Sequence, residues 1–122
     1  MNFRLKTSKQ TGEKLISLQS TTGLTWNVLA RLAISLSLKD PSQPAIVNNK
    51  SGVDIHRNAL TGEFDYVYKA MIRQHSKRNI AEEEYFPDIF NAHLERGIIL
   101  LENEYKHAGN YEKLLINLLK IE

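Results

Sequence analysis

Apolar positions recur along this chain with two periods, and the change of period marks its elements. Residues 2–7 alternate, with Phe3, Leu5 and Thr7 on one side and Asn2, Arg4 and Lys6 on the other. That is the period-two pattern of a half-buried strand or an extended arm. From there the spacing turns helical. Thr7 with Gln10 three residues on predicts a capping box, and Thr11, Leu15, Leu18 and Thr22 line one buried stripe. Gly23 suits the left-handed position just past a helix end. Thr25 then caps a second helix, with Trp26, Leu29, Ala30, Ala33 and Leu36 on one side and Val28, Leu32 and Ile34 on others. A helix apolar over so much of its circumference has to be enclosed on several sides. One small chain offers little to do so, and the pattern predicts a homo-oligomer built through this helix.

Asp40-Pro41-Ser42-Gln43-Pro44 ends that helix, because proline cannot continue it and biases the residue before it to extended geometry. Residues 39–53 read as a long exposed loop and Val53 to Ala59 as a short strand. A third helix starts at Thr61-Gly62. Its expected inner face is Phe64, Val67, Tyr68, Met71, Ile72 and His75, and Lys69, Arg73 and Lys77 stack four apart on the opposite face. A fourth helix follows Glu82-Glu83-Glu84, acids suited to the positive end of a helix dipole, with Pro87 in the first turn. Phe86, Ile89, Phe90, His93, Leu94, Gly97, Ile98 and Leu101 keep its spacing. Gly109 breaks the pattern, and Asn110 caps a last helix with Leu114, Leu115, Leu118 and Leu119 inside.

The expected fold is mainly α, a compact helical domain with at most short strands. A single domain over 1–122 divides into a basic strand or arm with two helices (1–38), a loop with a short strand (39–60) and three further helices (61–122). Strand, helix, turn and helix at the start resemble the ribbon-helix-helix layout of small DNA-binding modules.

Composition narrows the class without naming a function. At 122 residues, 42% apolar and 25% charged, the chain is ordinary for a globular domain. No apolar run approaches eighteen residues and no signal-like leader is present, so neither a membrane span nor export is expected, and a cytoplasmic setting is. There is no cysteine, hence no disulfide, thiolate ligand or thiol nucleophile.

The net charge of +2 conceals an asymmetry. Residues 1–78 hold twelve Lys and Arg against five acids, a surplus of seven, whereas residues 79–122 hold four against nine, a deficit of five. A basic front and an acidic back suit a protein with one face on a polyanion and another elsewhere. Arg4, Lys6, Lys9 and Lys14 cluster at the strand and first helix start, where cations and backbone N–H groups bind phosphate. Asn2, Arg4 and Lys6 would read bases only if paired strands from two copies projected them. Lys69, Arg73 and Lys77 form a second electrostatic candidate, with Arg57 and Arg78 near them in sequence; the bland alternative for each patch is a solvated face. Arg31 is expected to pair with an acid across an interface.

Catalytic chemistry finds no foothold. His56, His75, His93 and His107 lack metal-ligand spacing, and His75 and His93 fall on apolar stripes as core or interface residues. Glu82–Glu84 reads as a first-turn acidic cluster rather than a divalent-ion site. No nucleophile elbow, P-loop, Rossmann glycines or His-Glu-x-x-His occur. The expectation is a non-enzyme with no metal and no cofactor.

Several blocks resemble one known family in order along the chain: Arg4-Leu5-Lys6-Thr7-Ser8, Thr22-Gly23-Leu24-Thr25-Trp26-Asn27-Val28-Leu29-Ala30-Arg31-Leu32-Ala33, Thr61-Gly62-Glu63-Phe64 and His93-Leu94-Glu95-Arg96-Gly97-Ile98. They are similar to DndE, the small subunit of the bacterial DNA phosphorothioation system, over roughly residues 3–101. The resemblance implies an accessory protein of a complex that replaces a non-bridging phosphate oxygen with sulfur. It further implies a tetramer binding duplex DNA, nicked duplex preferred, through surface lysines. Sulfur-transferring and ATPase-like subunits, fed by a cysteine desulfurase, would be its partners. Without cysteine this subunit cannot carry persulfide sulfur. A ribbon-helix-helix repressor and a protein-only scaffold stay open as alternatives.

Overall fold

The computed structural model describes residues 3–120, with the side chains of Tyr111 and Lys120 left aside. The elements in order are β1 (Arg4–Lys6), α1 (Lys9–Thr22), α2 (Trp26–Leu38), β2 (Asp54–His56), α3 (Arg57–Thr61), a 3-10 turn (Gly62–Phe64), α4 (Asp65–Ser76), a wide helical turn (Glu84–Ile89), α5 (Phe90–Ala108) and α6 (Tyr111–Lys120). The mainly α expectation stands, with one small sheet beside the helices.

The first strand finds its partner within the chain. β1 pairs antiparallel with β2 in the register Arg4↔His56, Leu5↔Ile55 and Lys6↔Asp54. Alternation then sends Leu5 and Ile55 into the core and Arg4 and Lys6 to solvent. A ribbon-helix-helix ribbon joins this strand to its copy in a second chain; here one edge of β1 pairs with β2 of the same chain. Asn2 lies outside the described residues.

Ser8, not Thr7, caps α1: its side chain accepts from the Thr11 N–H. Gly23 closes the helix at φ 77°, returning its N–H to the Gln19 carbonyl, a conformation that costs a Cβ-bearing residue more. α2 runs through the centre, with Leu29, Ala30, Ala33 and Ile34 fully buried. Its cover comes from this same chain, from α5 along its length and from α1, α3 and α4 around it. That cover is incomplete: Trp26, Val28, Leu32 and Leu36 stay half-buried. The closeness of α5 turns on Gly97, where a Cβ would fall 1.8 Å from the Ala33 carbonyl oxygen. With no side chain there, the α2 and α5 backbones meet and one helix covers the other.

Other expectations change as well: the strand expected over Val53 to Ala59 is cut to Asp54–His56, because the chain turns helical at Arg57. The fourth helix does not start at the acids: Pro87 disfavours helical geometry at Phe86, which is extended (φ −134°, ψ 128°), and regular helix begins only at Phe90. On α4 the inner face is narrower than its apolar residues suggest. Ile72 is fully buried, but Phe64 and Met71 are 60% and 39% exposed. α6 packs back on α5, burying Leu114 and leaving Leu115, Ile116 and Leu119 outside.

Candidate nucleic-acid interface

The junction between β1 and α1 is built from short polar residues that hold a loop in place. Thr7 N–H donates to the Val53 carbonyl at 3.0 Å, Gly52 N–H to the Thr7 carbonyl at 2.9 Å, and Val53 N–H to Thr7 Oγ1 at 3.1 Å. Asn49 Oδ1 accepts from Lys9 N–H at 3.3 Å and from the backbone and hydroxyl of Ser51. Gly52 sits so close that a Cβ would meet the Ser8 carbonyl oxygen at 2.0 Å. These contacts lay residues 49–53 against residues 7–9. They bring Lys50 to the same junction as Lys6 and Lys9, which sequence separation had hidden.

Beneath the junction lies Glu95 of α5, 9% exposed. Its carboxylate accepts from Ser8 N–H at 2.8 Å, Ser8 Oγ at 2.6 Å and Thr11 Oγ1. A negative group at a helix start is favourable, and here it is internal. Ser8, Lys9 and Thr11 direct their N–H groups to Glu95, Asn49 and the cap. The signal for Glu95 was in the sequence, an acid inside the apolar run of the fourth helix, but its partners lie more than eighty residues away.

The seven predicted cations separate into two groups. Arg4 lies 3.3 Å from Asp54, both exposed. Lys14 is bound to Glu102 at 2.8 Å in a half-buried pair. Lys69 is drawn toward Glu82 at 3.9 Å and over the Tyr85 ring at 6.0 Å. Among the described residues no ion pair involves Lys6, Lys9, Arg73 or Lys77, all exposed. Lys77 closes α4 in the left-handed conformation, φ 60°. Lys50 is 3.8 Å from Asp88, both of them exposed. Pairs as exposed as Arg4–Asp54 and Lys50–Asp88 contribute little and yield readily to another anion.

Folding thus merges the basic front with the acidic back. Glu82 faces Arg57 and Lys69, Glu84 faces Arg78, Asp88 faces Lys50 and Glu102 faces Lys14. The picture of one basic and one acidic face gives way to local neutralisation that spares only certain cations. Arg57 is the clearest case. Nearly buried, it hydrogen-bonds Asp65 and Glu82 and lies over the rings of Tyr85 and Phe86. Hydrogen bonds to Asp65 and then Glu82 raise its pKa above its ordinary range. Burial pushes Asp65 upward, but the bonds from Arg57 and Thr61 outweigh it and leave the carboxylate low. Arg57 is a structural hub, closed to DNA. Arg31 donates to the Ala59 and Leu60 carbonyls at 3.2 and 3.1 Å.

Ser37 lies 2.8 Å from His93, but both are fully buried and no substrate reaches the hydroxyl. Among the described residues no three His, Cys, Asp or Glu gather to hold a metal. No helix among them is long and apolar enough to cross a membrane.

These features define a small, mainly helical protein whose candidate chemistry lies in exposed cations around a strand-to-helix junction. The chain belongs to the DndE family: the family profile described as DNA sulphur modification protein DndE matches residues 4–120. Its place is therefore in DNA sulfur modification. Among solved structures it is similar to DndE from Escherichia coli B7A, involved in DNA phosphorothioation modification, with 22% identity and a TM-score of 0.66 over 80% of this chain and 96% of that one. A mutant of DndE involved in DNA phosphorothioation is similar at 22% identity and TM-score 0.64, over 84% and 99% of the two chains. That likeness carries the fold. No curated protein matches the chain.

Proposed function

We propose that this chain is the DNA-holding, non-catalytic subunit of the sulfur-modification machinery, acting beside sulfur-transferring and ATPase-like subunits. It grips duplex DNA by its backbone phosphates and reads no base sequence. The observation that carries this reading is the meeting of Lys6, Lys9 and Lys50 at one junction, the first two with no acid paired to them among the described residues. Arg4 adds to this patch through an ion pair that phosphate can replace. Arg73 and Lys77 form a second, separate contact, while Lys14 and Lys69 serve mainly to hold the fold.

The working form is a homo-oligomer, a tetramer by resemblance, which multiplies a patch too small alone for a double helix. Its contacts come from apolar surface that the chain leaves open. One such surface is a groove of about 570 Å³ along α3 and α4, lined by Arg31, Asn58, Phe64, Val67, Tyr68 and Met71. A preference for nicked DNA follows from mechanics: a nick is a flexible joint, and bending intact duplex over a basic oligomer costs several kcal/mol more, order of magnitude. A ribbon-helix-helix repressor is less well supported, because β1 is already paired with β2.

Binding of intact and nicked duplex across a salt series tests the reading. Each phosphate neutralised on duplex contributes a log–log slope of about −0.9, so Lys6→Gln, Lys9→Gln and Lys50→Gln together should flatten the slope by roughly 2–3 per bound copy. Binding undetectable at low salt would leave the scaffold alternative. A slope unchanged in the triple variant but lost with Arg73→Gln and Lys77→Gln would move the interface to α4.

A further inference from the structure

The outer side of α4 carries an aromatic ring that the core does not use. Tyr66 is 72% exposed, and among the described residues no hydrogen bond, ring contact or ion pair involves its side chain. Ile72, on the inner side of the same helix, is fully buried and anchors α4 in place. Seven residues beyond Tyr66, Arg73 falls within about 20° of the same line and about 10 Å further along the axis. Lys77 follows one turn later, where it closes the helix. Both cations are exposed, and no ion pair involves either among the described residues.

Acids near this stripe are engaged elsewhere or stand apart from it. Asp65, the acid within α4, is bound to Arg57 and Thr61. Glu82 is held by Arg57 and Lys69, and Glu84 by Arg78. Glu63 is exposed in the turn before the helix, away from Arg73 and Lys77. Cations at this end suit the negative end of the helix dipole. The dipole accounts for the charges and not for the ring in line with them. The apolar groove lined by Val67, Tyr68 and Met71 opens on another side of α4, so an oligomer formed there leaves the stripe in water.

An exposed ring followed by a single row of cations fits one nucleic-acid strand whose bases are unpaired. Stacking on an aromatic side chain needs an open base face, which the interior of a duplex hides, and it is indifferent to sequence because every base has a π-face. We propose that this side of α4 binds single-stranded DNA, with a base stacked on Tyr66 and phosphates of the same strand on Arg73 and Lys77. The inference rests on the DNA-holding reading and gives the second contact a ligand of its own. A strand end that frays at a nick supplies such a base. Nicked duplex is then favoured by capture of the loose end, apart from any ease of bending.

Fluorescence anisotropy of a labelled oligothymidylate, and of an abasic strand of equal length, separates stacking from charge. Tyr66→Ala should weaken oligothymidylate binding at least about fivefold, Tyr66→Phe should bind like wild type, and the abasic strand should not distinguish the three proteins. Arg73→Gln with Lys77→Gln should lower the log–log salt slope on oligothymidylate by about 1.4 per bound copy, whereas Tyr66→Ala should leave it alone. Because Tyr66 is exposed, its removal leaves the core untouched. Oligothymidylate bound no tighter than the abasic strand, a Tyr66→Ala variant as tight as wild type, or one that loses the abasic strand equally would each overturn the inference. Intact duplex, held at Lys6, Lys9 and Lys50, should bind Tyr66→Ala as it binds wild type. Duplex binding without oligothymidylate binding removes this inference alone; neither at low salt removes the DNA-holding reading with it.

Discussion

Glu95 offers the sharpest test of how the candidate interface is held. Replacing it with Ala leaves three donors, Ser8 N–H, Ser8 Oγ and Thr11 Oγ1, without their acceptor. The hydroxyls can turn to other acceptors; the Ser8 N–H cannot. Hydrogen bonds to a charged group net about 1.5–3 kcal/mol each, and a stranded buried donor costs about 1–3 kcal/mol. Three coupled bonds do not add fully, so Glu95→Ala should cost about 4 kcal/mol. Glu95→Gln behaves differently. Its carbonyl still accepts the Ser8 N–H, and its amide faces hydroxyls that reverse from donating to accepting. One lone pair of Ser8 Oγ is already used by Thr11 N–H, so a cost of about 1–2 kcal/mol remains. Urea unfolding followed by circular dichroism, at one fixed protein concentration because association shifts apparent stability, measures both. In melting temperature the Ala variant should drop by roughly 15 °C for a chain of this size. Equal costs for Ala and Gln, or an Ala cost under about 1 kcal/mol, would refute the claim that a carboxylate organises this helix start.

Gly97→Ala sets two effects against each other. Ala gains about 1 kcal/mol of helix propensity over Gly, but its Cβ would meet the Ala33 carbonyl oxygen at 1.8 Å, forcing α5 off α2. Overpacking against backbone dominates, and a net loss of about 2 kcal/mol is expected in the same unfolding assay; a variant as stable as wild type would contradict the close approach. Stability should also fall with acid through His93, whose pKa is depressed from 6.5 to about 4, burial being the first cause. A depressed base is fully stabilising above its unfolded value, so this contribution, about 3 kcal/mol, is present above pH 6.5 and is lost as pH falls toward 4. His93→Phe should flatten that limb of the stability profile; a limb unchanged in the variant would assign it elsewhere.

Much of the architecture was legible because it rests on local rules. Gly23 marked the end of α1, the heptad-like stripe Leu15–Leu18 marked its buried face, and Gly109 with Asn110 separated α5 from α6. Where a local rule had a competitor, the reading slipped. Thr7 and Ser8 are both good caps, and Thr7 was needed instead to tie down Val53. Acids and Pro87 suggested a helix start, yet that same proline pulls Phe86 out of helix. On α4, periodicity marks the side able to be buried; whether it is depends on what arrives there, and Phe64 and Met71 stay exposed.

By itself the sequence determined the longer helices and where α1, α2 and α5 end, a strand too short to stand alone, the absence of thiol chemistry and the kinship with DndE. All follow from spacing, composition or ordered blocks of residues. Only the tertiary structure decided which charges stay available, because a carboxylate neutralises whatever lies beside it in space, however far along the chain. It placed Glu102 on Lys14, Glu82 between Arg57 and Lys69, and Glu95 under Ser8, while Lys50 was carried across the loop to Lys6 and Lys9. One glycine, by letting two backbones touch, likewise decided how closely α5 covers the central helix.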